Sequence, residues 1–466
     1  MRQTSDTAIN SSNRGSKFLK DIGIYAIGNI GSKLITFMMV PLYTYFVHDT
    51  SDFGYYDLCL QVCLLLIPFF TLQLRDGAFR FLLDCNDRRQ RDRIVTFVAR
   101  TLASTLVLSV LVALVIAMSL QEVYAQVFRG LGNNRAFVSV GILSALGIGL
   151  FSIILVAGMG WGIRGIFLAN ILARVVALAI VEWRVRLISR HTRWHINTGA
   201  VARDIIRYTL PLMPGSLCWW LTGSSDRLFI SHFLGLDVNG VYAVAIRFTS
   251  IIYTLAIIFY QAWQETAILQ YNSPDRNSFF SKMLNSYIFL LAAILTGYVF
   301  ALKLNYGWLI ADEYHQSLSF IYPLGLSAVV FAVAAFFDMG YQCAKDTKRT
   351  LPAIVLSAIV NVALNFLLIK PLGVHGVIIT QLVTYLVLVI YRWHDMKRYF
   401  ILKLEPRTVM PILVMLLSAI PFYYSHSLAI DILFPIVAVA ILAWLCRSEL
   451  QDLWQTKITK TQARIK

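Results

Sequence analysis

A chain of 466 residues that is 58% hydrophobic and only 14% charged cannot be a soluble domain, which would carry roughly 25% charged residues. Its net charge of +16 sits in short segments between apolar runs, as orientation signals do, which excludes nucleic acid as a partner. The six cysteines (Cys59, Cys63, Cys85, Cys218, Cys343, Cys446) show no metal-ligand spacing and read as apolar filler.

The polar start MRQTSDTAINSSNRGSKFLK has no short apolar core, so no cleaved signal peptide is expected. Apolar runs able to cross ~30 Å of hydrocarbon follow at 20–47, 56–75, 94–120, 136–157, 164–183, 208–234 and 240–264. Further runs lie at 283–304, 317–341, 350–369, 374–392, 408–425 and 428–446. A β-barrel would show alternating segments of ~10 residues instead, so the fold class is all-α, a polytopic helical bundle. Lys and Arg occupy alternate connections: Arg14 to Lys20, Arg75 to Arg93, Arg184 to Arg207, Lys345 to Arg349, Arg392 to Arg407, and the tail from Arg447. The others, including HDTSDFG, LGLDVNG, ADEYHQ and SHS, are acidic or neutral, which assigns both termini to the cytoplasm.

The run at 94–120 breaks this alternation, because Arg129 and Arg135 follow it and both its ends look cytoplasmic. Either the region is a compressed hairpin or a helix is missing. An internal repeat bears on the choice. Gly54-Tyr55-Tyr56 corresponds to Gly240-Val241-Tyr242, an offset of about 186. Gln126-Val127-Phe128-Arg129 corresponds to Gln342-Cys343-Ala344-Lys345, and Gly162-Ile163-Arg164-Gly165 to Gly373-Val374-His375-Gly376, at about 216 and 211. The jump means that the first half lacks roughly 25–30 residues before Gln126, about one helix and a turn. The expected organisation is two pseudo-symmetric lobes, 1–195 and 200–398, of about 12 helices with the first lobe one short or distorted. An extra helix pair at 408–446 and a basic tail at 447–466 complete it.

Three stretches carry a family resemblance. They are DRLFISHFLGLDVNGVYAVAIR, NIGSKLITFMMVPLYTYFVHDTSDFGYYDL and QVFRGLGNNRAFVSVGIL. The chain resembles the bacterial polysaccharide (O-antigen and exopolysaccharide repeat-unit) flippases of the multidrug/oligosaccharidyl-lipid/polysaccharide exporter superfamily. It departs from them in the shortened first lobe and at Glu265, where a proline often follows Gln261-Ala262-Trp263. The resemblance implies an inner-membrane transporter, not an enzyme, that moves an undecaprenyl-pyrophosphate-linked oligosaccharide between leaflets by alternating access. The partners it implies are the lipid-linked oligosaccharide, the phospholipid bilayer and the polysaccharide polymerase machinery, with a monomer favoured. No cofactor is expected, and a proton or Na⁺ is the candidate coupling ion.

Ionisable residues inside spans cost about 2.5–3.5 kcal/mol each on insertion scales and ask for a partner or a wet cavity. Asp226 lies roughly 12 Å from the outer end of its span and Arg247 roughly 10 Å into the next, matching depths for a pair. Asp226 is therefore a candidate for a salt bridge or for the coupling ion. Lys33, Arg174, Arg227 and Arg247 give four basic residues at depth, a cationic cavity suited to a pyrophosphate, or else groups held by Asp226 and backbone carbonyls. Arg75 and Arg80, at the cytoplasmic edge of the second span, either receive the pyrophosphate or serve as orientation charges. Trp219, Trp220, Tyr253, Tyr260, Trp263 and Tyr341 are candidates for stacking on sugars or for interfacial anchoring. His48, His232, His315 and His375 lack metal spacing. The competing functions are a cation-coupled multidrug exporter, disfavoured because no acid reads as deep in the first lobe, and a membrane polymerase or ligase. The short outer loops disfavour the latter.

Overall fold

The computed structural model describes residues 31–445 and 447, apart from 32, 84, 86, 109–112, 192–197 and 345. The described residues are helical with connecting turns, and nine of their helices are long and apolar enough to cross a membrane. Chain contacts divide the protein into two units, one of residues up to His48 with Tyr55–Trp220, the other of Asp49–Gly54 with the chain from Leu221.

In the first unit, helix α1 (33–46) precedes α2 (Thr50–Phe70), α3 (Leu74–Leu83), α4 (Arg88–Leu108) and α5 (Ala113–Gly130). Then come α6 (Asn134–Ser152), continued by a π-helical turn over Ile153–Gly158, α7 (Gly162–Val185), α8 (Leu187–His191), α9 (Gly199–Thr209) and the start of α10 (Met213–Ser224), whose residues from Leu221 belong to the second unit. The α2–α3 break falls where Leu72 and Gln73 take positive φ, conformations that L-residues adopt reluctantly. Thr71 Oγ1 donates to Ile67 O at 2.7 Å and Gln73 Nε2 to Asp76 Oδ2 at 2.6 Å, so side chains hold this bend. One apolar cluster, including Ala78, Ile94, Val127, Ala136, Val181, Leu187 and Ile205, ties α3, α4, α5, α6, α7, α8 and α9 together at the arginine-rich end.

Of the two alternatives for 94–120, the structure shows the hairpin. Among the described residues both helices of the pair are present, and both are short. Helix α4 has 21 residues, where its repeat partner α13 (Arg276–Leu309) has 34, and α5 has 18 where α14 (Leu318–Cys343) has 26. The deletion is therefore shared between two helices, and their basic ends, Arg88 to Arg93 and Arg129, lie at the same end of the bundle. This explains why both flanks read as cytoplasmic without inverting the later helices.

The second unit contains α11 (Asp226–Phe233), α12 (Leu236–Gln270), α13, α14 and α15 (Thr350–Met396), whose two halves meet at Gly373 with φ 57°. The two repeat glycines touch each other here. A Cβ on Gly240 would stand 1.9 Å from Thr50 O, and one on Gly54 would stand 1.8 Å from Leu236 O. Only glycine permits this crossing. Asn239 Nδ2 donates to Gly54 O at 2.8 Å and locks it.

The extra helices, α16 (Val409–Leu417), α17 (Ala419–Tyr424) and α18 (Leu428–Leu445), are fastened to this unit by several hydrogen bonds, those of Lys303 and Asn285 among them. Lys303 Nζ donates to Ser425 O and Asp431 Oδ1, both at 2.9 Å. Asn285 Oδ1 accepts from Thr408 Oγ1 at 2.6 Å and Glu405 N at 3.3 Å.

Candidate functional site

The second-lobe span that reads as continuous in sequence carries a local irregularity at Ser225, whose φ of −63° and ψ of −22° keep the chain running in the same right-handed turn. Helix α10 ends at Ser224 and α11 starts at Asp226. An irregular turn within a span leaves carbonyl capacity for side chains to take up. Arg227 does so, its Nη1 donating to Gly223 O at 3.0 Å while the guanidinium lies 5.8 Å from the Tyr242 ring centre. Ser225 Oγ donates to Leu221 O at 2.6 Å and is 3.1 Å from Asn361 Oδ1.

One residue on, Asp226 is fully buried in a polar cluster. Its Oδ2 accepts from Tyr242 Oη at 3.0 Å and its Oδ1 lies 3.4 Å from Asn365 Nδ2. Asn365 Nδ2 also donates to Asn361 Oδ1 at 3.1 Å, and Asn361 Nδ2 lies 3.4 Å from Thr384 Oγ1. Asn365 Oδ1 and Thr380 Oγ1 are buried without a hydrogen-bond partner among the described residues. The groups that reach the carboxylate are donors, the Tyr242 hydroxyl and the Asn365 amide N–H, an arrangement that holds a buried Asp226 and lets it take up or give a proton. Among the described residues there is no group of three or more His, Cys, Asp or Glu that could hold a metal ion.

The expected pairing of Asp226 with Arg247 does not form. Arg247 instead stacks on Phe53, its guanidinium 4.6 Å from the ring centre. Helix α12 turns it toward the Asp49–Gly54 segment, while Tyr242 on the same helix reaches the carboxylate. Arg174 lies in α7, where Nη1 donates to Asn170 O at 2.7 Å and Asn170 Oδ1 at 2.8 Å. Asn170 in turn donates to Tyr56 Oη at 2.9 Å. Lys33 is exposed in α1, with no hydrogen bond or ion pair among the described residues. Arg75 pairs with Glu122 at 2.9 Å and with Asp76 at 3.4 Å, and Arg80 is exposed on α3. Burial works against the Arg75 charge, but Glu122 and Asp76 outweigh it and raise the guanidinium pKa. The first lobe also has a buried acid that the sequence reading passed over, Asp57 in α2.

The structure thus brings Asp226 and Arg227 together and leaves Arg247 apart from them. Asn361, Asn365, Thr380 and Thr384 were not among the sequence candidates. Their signal was spacing: Ser357, Asn361 and Asn365 recur every fourth residue, as do Thr380 and Thr384, one polar stripe on each of two apolar helices.

Residues 90–264 match the model of the family described as polysaccharide biosynthesis protein. No curated protein sequence matches the chain. Among solved structures, an inward-facing multidrug resistance transporter of the MATE family, in the MOP superfamily, is similar at a TM-score of 0.64 and 14% identity, covering 80% of this chain and 95% of its own. The lipid II flippase MurJ in an inward closed conformation is similar at a TM-score of 0.64 and 12% identity, covering 93% and 100%. A Vibrio cholerae MATE transporter, VcmN, is similar at 0.53 and 15% identity, covering 82% and 97%. The chain is a multi-pass membrane protein with the fold of MOP-superfamily transporters and flippases, carrying the polysaccharide-biosynthesis signature across residues 90–264.

Proposed function

We propose that the protein flips an undecaprenyl-pyrophosphate-linked oligosaccharide from the cytoplasmic to the periplasmic leaflet of a bacterial inner membrane, for O-antigen, other lipopolysaccharide or exopolysaccharide assembly. The observation that carries this reading is the polysaccharide-biosynthesis match over residues 90–264 on a fold shared with a lipid II flippase. The basic groups inside the spans suit the cargo. Arg174 and Lys33 in the first lobe, with Arg227 and Arg247 in the second, offer guanidinium and ammonium donors to pyrophosphate oxygens in a low-dielectric setting. Arg75 and Arg80 receive the headgroup at the cytoplasmic edge. Alternating access then exposes these donors to one leaflet and the other in turn. Asp226 binds the coupling proton or Na⁺, with the Tyr242 hydroxyl and the Asn365 amide on its two oxygens and Asn361 and Thr384 linked behind Asn365.

The test is surface polysaccharide in cells whose only copy is a variant. Arg247→Ala inserts normally and abolishes the polysaccharide; normal polysaccharide in that variant overturns the cationic-site assignment. A second reading, the cation-coupled multidrug exporter, gains from the buried Asp57, since the first lobe now has an acid at depth. Cells lacking the protein that accumulate cationic dyes while making normal polysaccharide would establish that reading instead.

A further inference from the structure

Between Lys33 and Lys282 the chain contains 20 arginines and no lysine, while the rest of it has 13 lysines and 8 arginines. Orientation in the membrane asks only for positive charge, which lysine supplies equally well. Arginine differs by its planar fork of donors, which grips phosphate oxygens two at a time, and by its weaker hydration. The interval covers the arginine-rich end of the first lobe, gathered by the apolar cluster that joins α3, α4, α5, α6, α7, α8 and α9. On that end Arg88, Arg89, Arg135, Arg184, Arg203 and Arg207 are exposed, and none has a side-chain hydrogen bond or ion pair among the described residues.

Helix α9 organises this face. Its inner side is fixed, with Ile205 and Thr209 buried against α3 so closely that a Cβ on Gly77 would stand 2.5 Å from Thr209 Cγ2. Its outer side presents Arg203, Arg207 and Tyr208, with one acid, Asp204, and the chain beyond it exposes Leu210 and Leu212. Arginines beside an exposed tyrosine and leucines are the make-up of a helix lying in the membrane interface.

We propose that this arginine face, centred on α9, rests on the bilayer surface and binds the headgroups of anionic phospholipids, phosphatidylglycerol being the test case. The assignment is independent of the transported cargo. Native mass spectrometry of the full chain in detergent, titrated with phosphatidylglycerol or phosphatidylcholine, tests it. The wild type retains phosphatidylglycerol preferentially. Each arginine near an anionic surface is worth a factor of about five, so Arg203→Gln with Arg207→Gln lowers that preference about 25-fold. Arg203→Lys with Arg207→Lys keeps the charge and recovers only part of it. Both positions substituted are exposed, so thermal unfolding is unchanged and serves as the folding control. Equal retention of the two lipids, or an unaffected glutamine variant, overturns the proposal. Full displacement of phosphatidylglycerol by inorganic pyrophosphate overturns it too, by making the face a site for soluble phosphates. A lysine variant equal to wild type overturns the role of the guanidinium fork.

Discussion

Replacing Asp226 with asparagine separates a coupling role from a structural one. The side chain keeps its shape, and one of its two hydrogen bonds, to Tyr242 or to Asn365, survives whichever way the amide turns. The loss is one hydrogen bond, about 1 kcal/mol. Against it stands the removal of a carboxylate buried with neutral hydrogen-bond partners, which is a gain. The buried Arg227 guanidinium beside it loses an attraction as well but stays held by Gly223 O and over the Tyr242 ring, whereas breaking a direct buried ion pair would cost about 3–5 kcal/mol. We therefore expect Asp226→Asn to unfold within about 1 kcal/mol of the wild type in detergent, yet to lose transport in a surface-polysaccharide assay. Unfolding lowered by several kcal/mol would show that Asp226 serves the fold as an ion-pair partner. Wild-type transport from a stable variant would refute the coupling assignment outright.

Two other outcomes follow from the packing. Gly240→Ala places a methyl group 1.9 Å from Thr50 O, against backbone rather than a movable side chain, so the helix ends must part. A loss of about 3–5 kcal/mol in thermal or denaturant unfolding is expected, at the upper end for single substitutions; a variant as stable as wild type would mean that the crossing is looser than its geometry. Lys303→Met leaves Asp431 buried without its cation and should destabilise the α17–α18 docking by about 3–5 kcal/mol, while adding Asp431→Leu should restore most of the loss. Limited proteolysis of the 401–408 connection reads both, and equal cleavage in wild type and Lys303→Met would count against the clamp.

Much of the architecture was legible because membrane helices announce themselves by length and hydropathy, and because the Gly-x-Tyr and Gly-x-x-Gly repeats fixed the correspondence of the lobes. The repeat offsets measured the deletion in the first lobe but not its distribution. A sequence offset cannot tell one lost helix from two shortened ones, and only the packing of α4 and α5 onto a common cluster decides it. The candidate site was partly legible. Asp226 stood out as a charge in an apolar run, yet depth alone suggested Arg247 as its partner. Depth says nothing about rotation around the helix axis, which sends Arg247 to Phe53 and Tyr242 to Asp226. The asparagines and threonines around it escaped notice because single neutral polar residues barely perturb hydropathy. Their four-residue spacing was the available signal.

The repeat also shows how one plan came to hold opposite charges. The offset of about 186 that aligns Tyr56 with Tyr242 aligns Val40 with Asp226, and both are fully buried. The later offset of about 211 aligns Asn170 with Gln381 and Arg174 with Tyr385. In each lobe the tyrosine after the crossing glycine reaches the polar residue that distinguishes that lobe. Tyr56 bonds Asn170, which holds Arg174; Tyr242 bonds Asp226. The same scaffold position thus supports a cation in the first lobe and an anion in the second. An anionic cargo and a coupling cation need opposite charges at membrane depth, and two such charges in one cluster would neutralise each other. The proposed coupling of cargo and cation therefore rests on the loss of symmetry at Val40 and Asp226, both fully buried, rather than on the symmetry itself.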